Sequence, residues 1–154
     1  MLRSCELLAC CLALGTLGCP SPDFCQQIFD SGVKPGFPMV IKTNDPKVLQ
    51  AARLSVERFN NCTNDVFLFK ESHIESALVQ VVKGLKYMLG MLIGRTTCKK
   101  TQRPHLDSCN FQTNHTLVQT LSCYSEIWTI PWLHKSQVTV LHCHQLPPGA
   151  PTTP

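Results

Sequence analysis

The chain has 154 residues, room for one domain plus short appendages. Charged residues make up 16% of it and the net charge is +4 with no block of five like charges, a poor fit to a disordered polyelectrolyte, a coiled coil or a nucleic-acid-binding arm. Ten cysteines in so short a chain point instead to a disulfide scaffold.

The first element is a secretion signal. Met1-Leu2-Arg3-Ser4 gives a positive start, an apolar or small run spans Leu7 to Leu17, and Thr16-Leu17-Gly18 offers the small residues a signal peptidase reads, so residues 1–18 are expected to be removed. A membrane anchor needs about 20 apolar residues, whereas 11 lie between Glu6 and Gly18 before Pro20 and Pro22 interrupt. No later stretch reaches membrane length, so the expected product is soluble, secreted or vesicular, with no membrane partner. Cleavage discards Cys5, Cys10 and Cys11 and leaves seven of the ten cysteines in an oxidising compartment. Seven is odd, so one thiol is free or joined to another chain, unless cleavage falls one residue later and takes Cys19 as well. Two sequons, at Asn61 and Asn114, fit the same route as glycosylation sites.

Residues 19–35, with Pro20, Pro22, Gly32 and Pro35, read as a flexible N-terminal trunk. A domain over 36–144 follows. Asp45 is placed to cap and Pro46 suits a first helical turn, while Val48, Ala52, Val56 and Phe59 recur at helical spacing, which predicts one amphipathic helix over about 45–61. Its other face, with Lys47, Gln50, Arg53, Glu57 and Arg58, is expected to be solvated. Leu78 to Val82 and Leu85 to Leu89 then read as a hairpin turning at Lys83-Gly84, Gly84 supplying the positive φ. Leu85, Tyr87, Leu89, Met91 and Ile93 share one face at period two and are expected to cover the helix. Runs over about 115–129 and 136–143 predict a second hairpin around Pro131-Trp132. The order, helix before successive antiparallel strands, gives an α+β layer fold with the helix on one sheet face. Residues 145–154, with four prolines and a glycine, read as a disordered Pro-rich tail.

Catalytic chemistry is hard to place on this chain. The later cysteines lack the CxxC pairs of zinc sites, and the histidines of His142-Cys143-His144 face one side of a strand while Cys143 faces the other. Nothing marks a Cys–His pair as an activated nucleophile, and there is no P-loop, dinucleotide fingerprint or HExxH. The chain is read as a non-enzyme with no cofactor and no metal.

Gly36, Gln80-Val81-Val82-Lys83-Gly84 and Pro131-Trp132, in that order, resemble the Gly, QxVxG and PW elements of the cystatins, inhibitors of papain-like cysteine proteases. Ile93-Gly94-Arg95-Thr96-Thr97-Cys98 and the four C-terminal cysteines resemble the secreted, disulfide-bonded branch of that family, the match spanning about 36–143. The resemblance implies one helix packed on a twisted antiparallel sheet, disulfides Cys98–Cys109 and Cys123–Cys143, and a wedge that enters the protease cleft. Gly36 lets a bare backbone approach the enzyme, with Val33, Lys34 and Pro35 of the trunk in the non-primed subsites. Val81 and Val82 supply apolar contact, and Trp132 a rigid anchor whose loop Pro131 restrains. Taken singly, Gly84 reads equally as a turn glycine, Trp132 as a core residue and Val81-Val82 as strand filler; their joint occurrence in order favours the protease-binding edge.

Thr63-Asn64-Asp65 resembles the loop with which some secreted cystatins inhibit legumain, which implies Asn64 as the residue offered to that protease, though Asn-Asp is also ordinary turn chemistry. One leukocyte member of the branch shares Pro20-Ser21-Pro22-Asp23, Val33 to Pro38, Phe59 to Asp65 and Phe67 to Ser72. That likeness implies an inactive homodimer linked through Cys25 and Cys62, and release of the inhibitory edge when the trunk is cut near Lys34. It also implies lysosomal targets such as cathepsin L and, once trunk contacts are gone, cathepsin C. Cys19, the long tail and an uncharged Gly90-Met91-Leu92, which would leave Leu92 on the solvent face as an association site, depart from the family pattern. The competing reading is a secreted signalling or carrier domain on the same fold. A cationic antimicrobial role fits poorly with +4 and no basic amphipathic helix.

Overall fold

The computed structural model describes residues 36–147. The expected signal peptide, the trunk with Cys19 and Cys25, and the tail from 148 onward lie outside the described residues. Within them one helix, α1 (Pro46–Cys62), packs on a five-stranded antiparallel sheet of β1 (Met39–Val40), β2 (Phe67–Val82), β3 (Gly84–Lys99), β4 (Thr120–Ile130) and β5 (Lys135–Gln145), in that spatial order.

α1 begins where the sequence says it should. The Asp45 side chain accepts from the Lys47 N–H at 2.8 Å, satisfying a first-turn donor, and Pro46 occupies a position whose N–H would have no partner. Val48, Ala51, Ala52, Ser55 and Val56 line its buried face. Small residues there let the helix lie close to the sheet, and the Ser55 and Ser125 hydroxyls meet at 2.7 Å with neither exposed. Tyr87, Leu89, Met91 and Ile93 of β3 cover the helix as expected, joined by Ile127 of β4 and by Val138 and Leu141 of β5.

The strands of the first hairpin are far longer than its tip suggests, 16 residues each. Register shifts near Phe67, Glu71 and Ile74 let β2 bend. Cys123 and Cys143 sit directly opposite each other on β4 and β5 and are bonded, while Cys98–Cys109 closes the segment after β3. Among the described residues no helix is long and apolar enough to cross a membrane and no cluster of three His, Cys, Asp or Glu could hold a metal.

Five details differ from the sequence reading. A two-residue strand, β1, precedes the helix. β4 starts at Thr120 rather than 115, because Asn114 accepts from the Thr116 N–H and hydroxyl and bends residues 114–116 into a turn. β5 continues through Gln145, where the tail was expected to begin. Arg53 is not simply solvated: it pairs with Glu71 on β2 and with Asp107, tying the helix to strand and loop. The Glu71 hydrogen bond raises the Arg53 pKa, and Arg53 in turn holds the Asp107 carboxyl below its ordinary range. Leu92, expected on the solvent face, is 7% exposed, and it lines a depression with Phe111 and Val118 from the loop after Cys109. The backbone of that loop pairs with the end of β3 at Thr96 and Phe111, its side chains pack beside Leu92, and Leu92 is buried rather than an association surface.

Candidate functional site

Strand register brings three distant parts of the sequence to one end of the sheet. β2 and β3 turn at Lys83, with Val82 and Gly84 as their last pair. Leu85 pairs with Thr129, so β4 ends beside that turn and the chain returns into β5 through a single 3-10 turn at Pro131–Leu133. On the other side Met39 pairs with Val79, which brings the preceding chain alongside the tip.

Gly36 is fixed there by two bonds. Its N–H donates to the Val81 carbonyl at 2.8 Å, and the buried Gln80 amide donates to the Gly36 carbonyl at 2.7 Å. Gln80 is thus an internal tie that fixes the point where the trunk joins the domain, not a surface contact. A Cβ on Gly36 would lie 3.3 Å from the Val81 oxygen, so a bare backbone suits this approach.

Gly84 has φ +104°, and a Cβ there would stand 2.4 Å from the Thr129 carbonyl and 3.2 Å from the Trp128 indole nitrogen. The turn therefore needs glycine both for its conformation and for space. The Trp128 indole N–H donates to the Lys83 carbonyl at 2.7 Å, a bond between the two hairpins. The sequence reading passed over Trp128, whose partner is 45 residues away.

At the outer edge Val81 is 60% exposed and Trp132 63% exposed, with Lys83, Pro131 and Leu133 also exposed and Val82 half-buried. Trp132 is therefore not a core residue of the described domain. His134 leaves the second tip in the left-handed region at φ 50°. Gly36, the first tip and Trp132 make a narrow apolar edge on rigid supports, suited to insertion between two walls.

Asn64 lies at the opposite end, since β2 runs between the two places and 16 residues at about 3.3 Å each span roughly 50 Å. Asn64 is exposed, and its loop is braced on both sides. Asp65 accepts from the Phe67 N–H at 2.9 Å and pairs with Arg95, while the Lys100 ammonium donates to the Thr63 carbonyl. Burial lowers the Lys100 pKa, with Asp65 opposing. Asn61 is exposed on the last turn of α1, and Asn114 is exposed in its turn. Cys62 is disulfide-bonded, and the four other described cysteines pair with one another. Asn60, which the sequence reading also missed, is buried and uses its amide to donate to the Phe69 carbonyl and accept from the Phe69 N–H, at 2.9 and 2.8 Å.

Comparison with known proteins agrees with this geometry. A family described as Cystatin domain matches residues 36–128. Human cystatin-F is 70% identical over 138 residues, 90% of this chain and 95% of that protein. Mouse cystatin-F is 64% identical over 137 residues, 89% of this chain and 95% of that protein. The crystal structure of dimeric human cystatin F superposes with a TM-score of 0.72 at 69% identity, over 80% of this chain and 98% of that one.

Proposed function

The chain belongs to the cystatin family of cysteine protease inhibitors, which are not enzymes, and from that premise we propose that it blocks papain-like cysteine proteases reversibly and competitively. The observation that carries this reading is the register that places Gly36, Val81-Val82-Lys83 and Pro131-Trp132 on one exposed edge. The two tips occupy the cleft walls while the trunk before Gly36 runs along the non-primed subsites. No peptide bond is presented to the catalytic thiol, so the inhibitor competes with substrate and leaves intact. Covering the exposed part of Trp132, roughly 150 Å² at about 25 cal/mol per Å², gives about 4 kcal/mol as an upper figure. Papain inhibition is expected to weaken on the order of 10²- to 10³-fold in Trp132→Ala. A Val81→Ala variant of the first tip is expected to weaken it further. Unchanged inhibition by both variants would sink the assignment.

Human cystatin F, so similar in sequence, is described as dimeric, which supports a homodimer here, in which the Cys62 bond forms with Cys25 of a second copy in place of one within the chain. Cys25 lies on the trunk, which has to be free for the edge to dock, so the linked form is inactive. Cutting near Lys34 releases it, and the shortened inhibitor suits proteases with obstructed non-primed subsites such as cathepsin C, alongside cathepsin L. Only monomer on a non-reducing gel of the intact protein would refute the link. The secretory signal and the exposed sequons Asn61 and Asn114 support glycosylation, secretion and delivery to endosomes and lysosomes. The exposed, braced Asn64 supports legumain as a second target, held at the far end of the domain. Legumain inhibition that survives Asn64→Ala would argue against that site.

A further inference from the structure

We propose that Trp128 is a positioning residue for the protease-binding edge: its indole N–H holds the Lys83 carbonyl and so locks the first hairpin tip against the second. This rests on the inhibitor reading above and extends it to a residue outside the three contact elements.

The tip needs such a lock. Beyond the Val82–Gly84 pair nothing in the β2–β3 ladder restrains Lys83, and the chain leading into β1 meets the hairpin only on its other side, where Gly36 bonds to Val81 and Gln80 and β1 pairs with Val79 and Leu78. Trp128 is paired with Lys86 across the β3–β4 ladder, close enough for the indole to reach back to the turn. There it donates at 2.7 Å to the one carbonyl at the apex. The same indole nitrogen lies 3.2 Å from where a Cβ on Gly84 would stand, so the ring lies over a residue with no side chain. Glycine at 84 and tryptophan at 128 act as one device: the first leaves room for the ring, and the second ties the apex to the strand that ends at Pro131-Trp132. A tip held before docking has less freedom to lose on binding, which favours affinity through slower dissociation.

The test uses the chain cut near Lys34, which releases the edge, and its Trp128→Phe variant, which keeps an aromatic side chain and removes the indole donor. The variant is expected to keep its melting temperature within a few degrees, to raise the papain inhibition constant about tenfold through dissociation, and to speed amide exchange at residues 81–84. In a double-mutant cycle Val81→Ala is expected to weaken inhibition less in the Trp128→Phe background than in the wild type, because a loosened tip already makes poor use of Val81. Strict additivity, or an unchanged inhibition constant with unchanged exchange, overturns the proposal. In the wild type, which needs no variant to fold, the Trp128 indole N–H is expected to exchange at least about tenfold more slowly than that of exposed Trp132, and equal exchange also overturns it. A wild-type chain that does not inhibit papain refutes the inhibitor reading itself, and the exchange measurements then decide the role of Trp128 by the same criteria.

Discussion

Replacing Gly84 with alanine forces a Cβ to within 2.4 Å of the Thr129 carbonyl at a backbone angle of φ +104°. Two costs follow. An L side chain in that conformation is strained by about 1–3 kcal/mol. The carbonyl cannot turn aside as a flexible side chain would, because the Leu85–Thr129 pair holds it in the β3–β4 ladder, and opening the contact there adds about 1–3 kcal/mol. The sum of about 2–6 kcal/mol is a large share of the roughly 5–15 kcal/mol that holds a domain together. It corresponds to a fall of about 1–3 M in the urea midpoint. Relief of the strain displaces the first tip, so papain inhibition is expected to weaken by about 100-fold or more. Gly90 is the internal control. A Cβ there meets the Ser76 hydroxyl oxygen at 2.6 Å, a side-chain atom on an exposed residue that can rotate away. Gly90→Ala is therefore expected to shift the urea midpoint less than Gly84→Ala and to leave inhibition unchanged. Equal effects of the two substitutions, or a Gly84→Ala variant as stable and as inhibitory as the wild type, would refute the reasoning.

Asn60→Ala leaves the Phe69 N–H and carbonyl without their partner and is expected to cost about 2–4 kcal/mol in urea unfolding, with papain inhibition unchanged at temperatures where the fold persists. Removing the Cys98–Cys109 bridge by replacing both residues with serine frees a loop of 11-residue separation and is expected to lower stability by about 3 kcal/mol on the chain-entropy estimate. The chain has two tyrosines, and both titrate high. Tyr124 is pushed up to about 12 by burial and by its hydroxyl bond to Glu126, and Tyr87 is raised by burial and by Asp45. A raised phenol contributes stability that is present below its unfolded value near 10 and is lost as pH climbs toward 12. Tyrosinate absorbance at 295 nm is therefore expected to stay low at pH 10 in the folded protein and to rise with alkaline unfolding, and half-ionisation near pH 10 without unfolding would contradict it.

Local signals in the sequence placed the helix and the hairpin tips because their causes lie within a few residues. Asp45 and Pro46 start α1, the period-two apolar residues of β3 face it, and Gly84 turns the chain. The candidate edge was legible because its elements carry recognisable short patterns. What escaped were residues whose roles depend on distant partners. Trp128 looks like any half-buried strand residue until Lys83 lies beside it, and Asn60 looks like a polar helix position until Phe69 pairs with it. Leu92 escaped for the same reason: alternation puts it on the outer face, and it is buried there beside Phe111 and Val118 of a loop that pairs with β3 from far along the chain. The run over about 115–129 overestimates β4 because the Asn114 side chain claims the local backbone and the strand starts only at Thr120.

The edge formed by Gly36, the first tip and Trp132 is tested most directly by papain inhibition with the edge released, measured across a range of substrate concentrations. The expected result is an apparent inhibition constant that rises linearly with substrate and one inhibitor bound per enzyme. A constant that does not respond to substrate would contradict docking in the cleft.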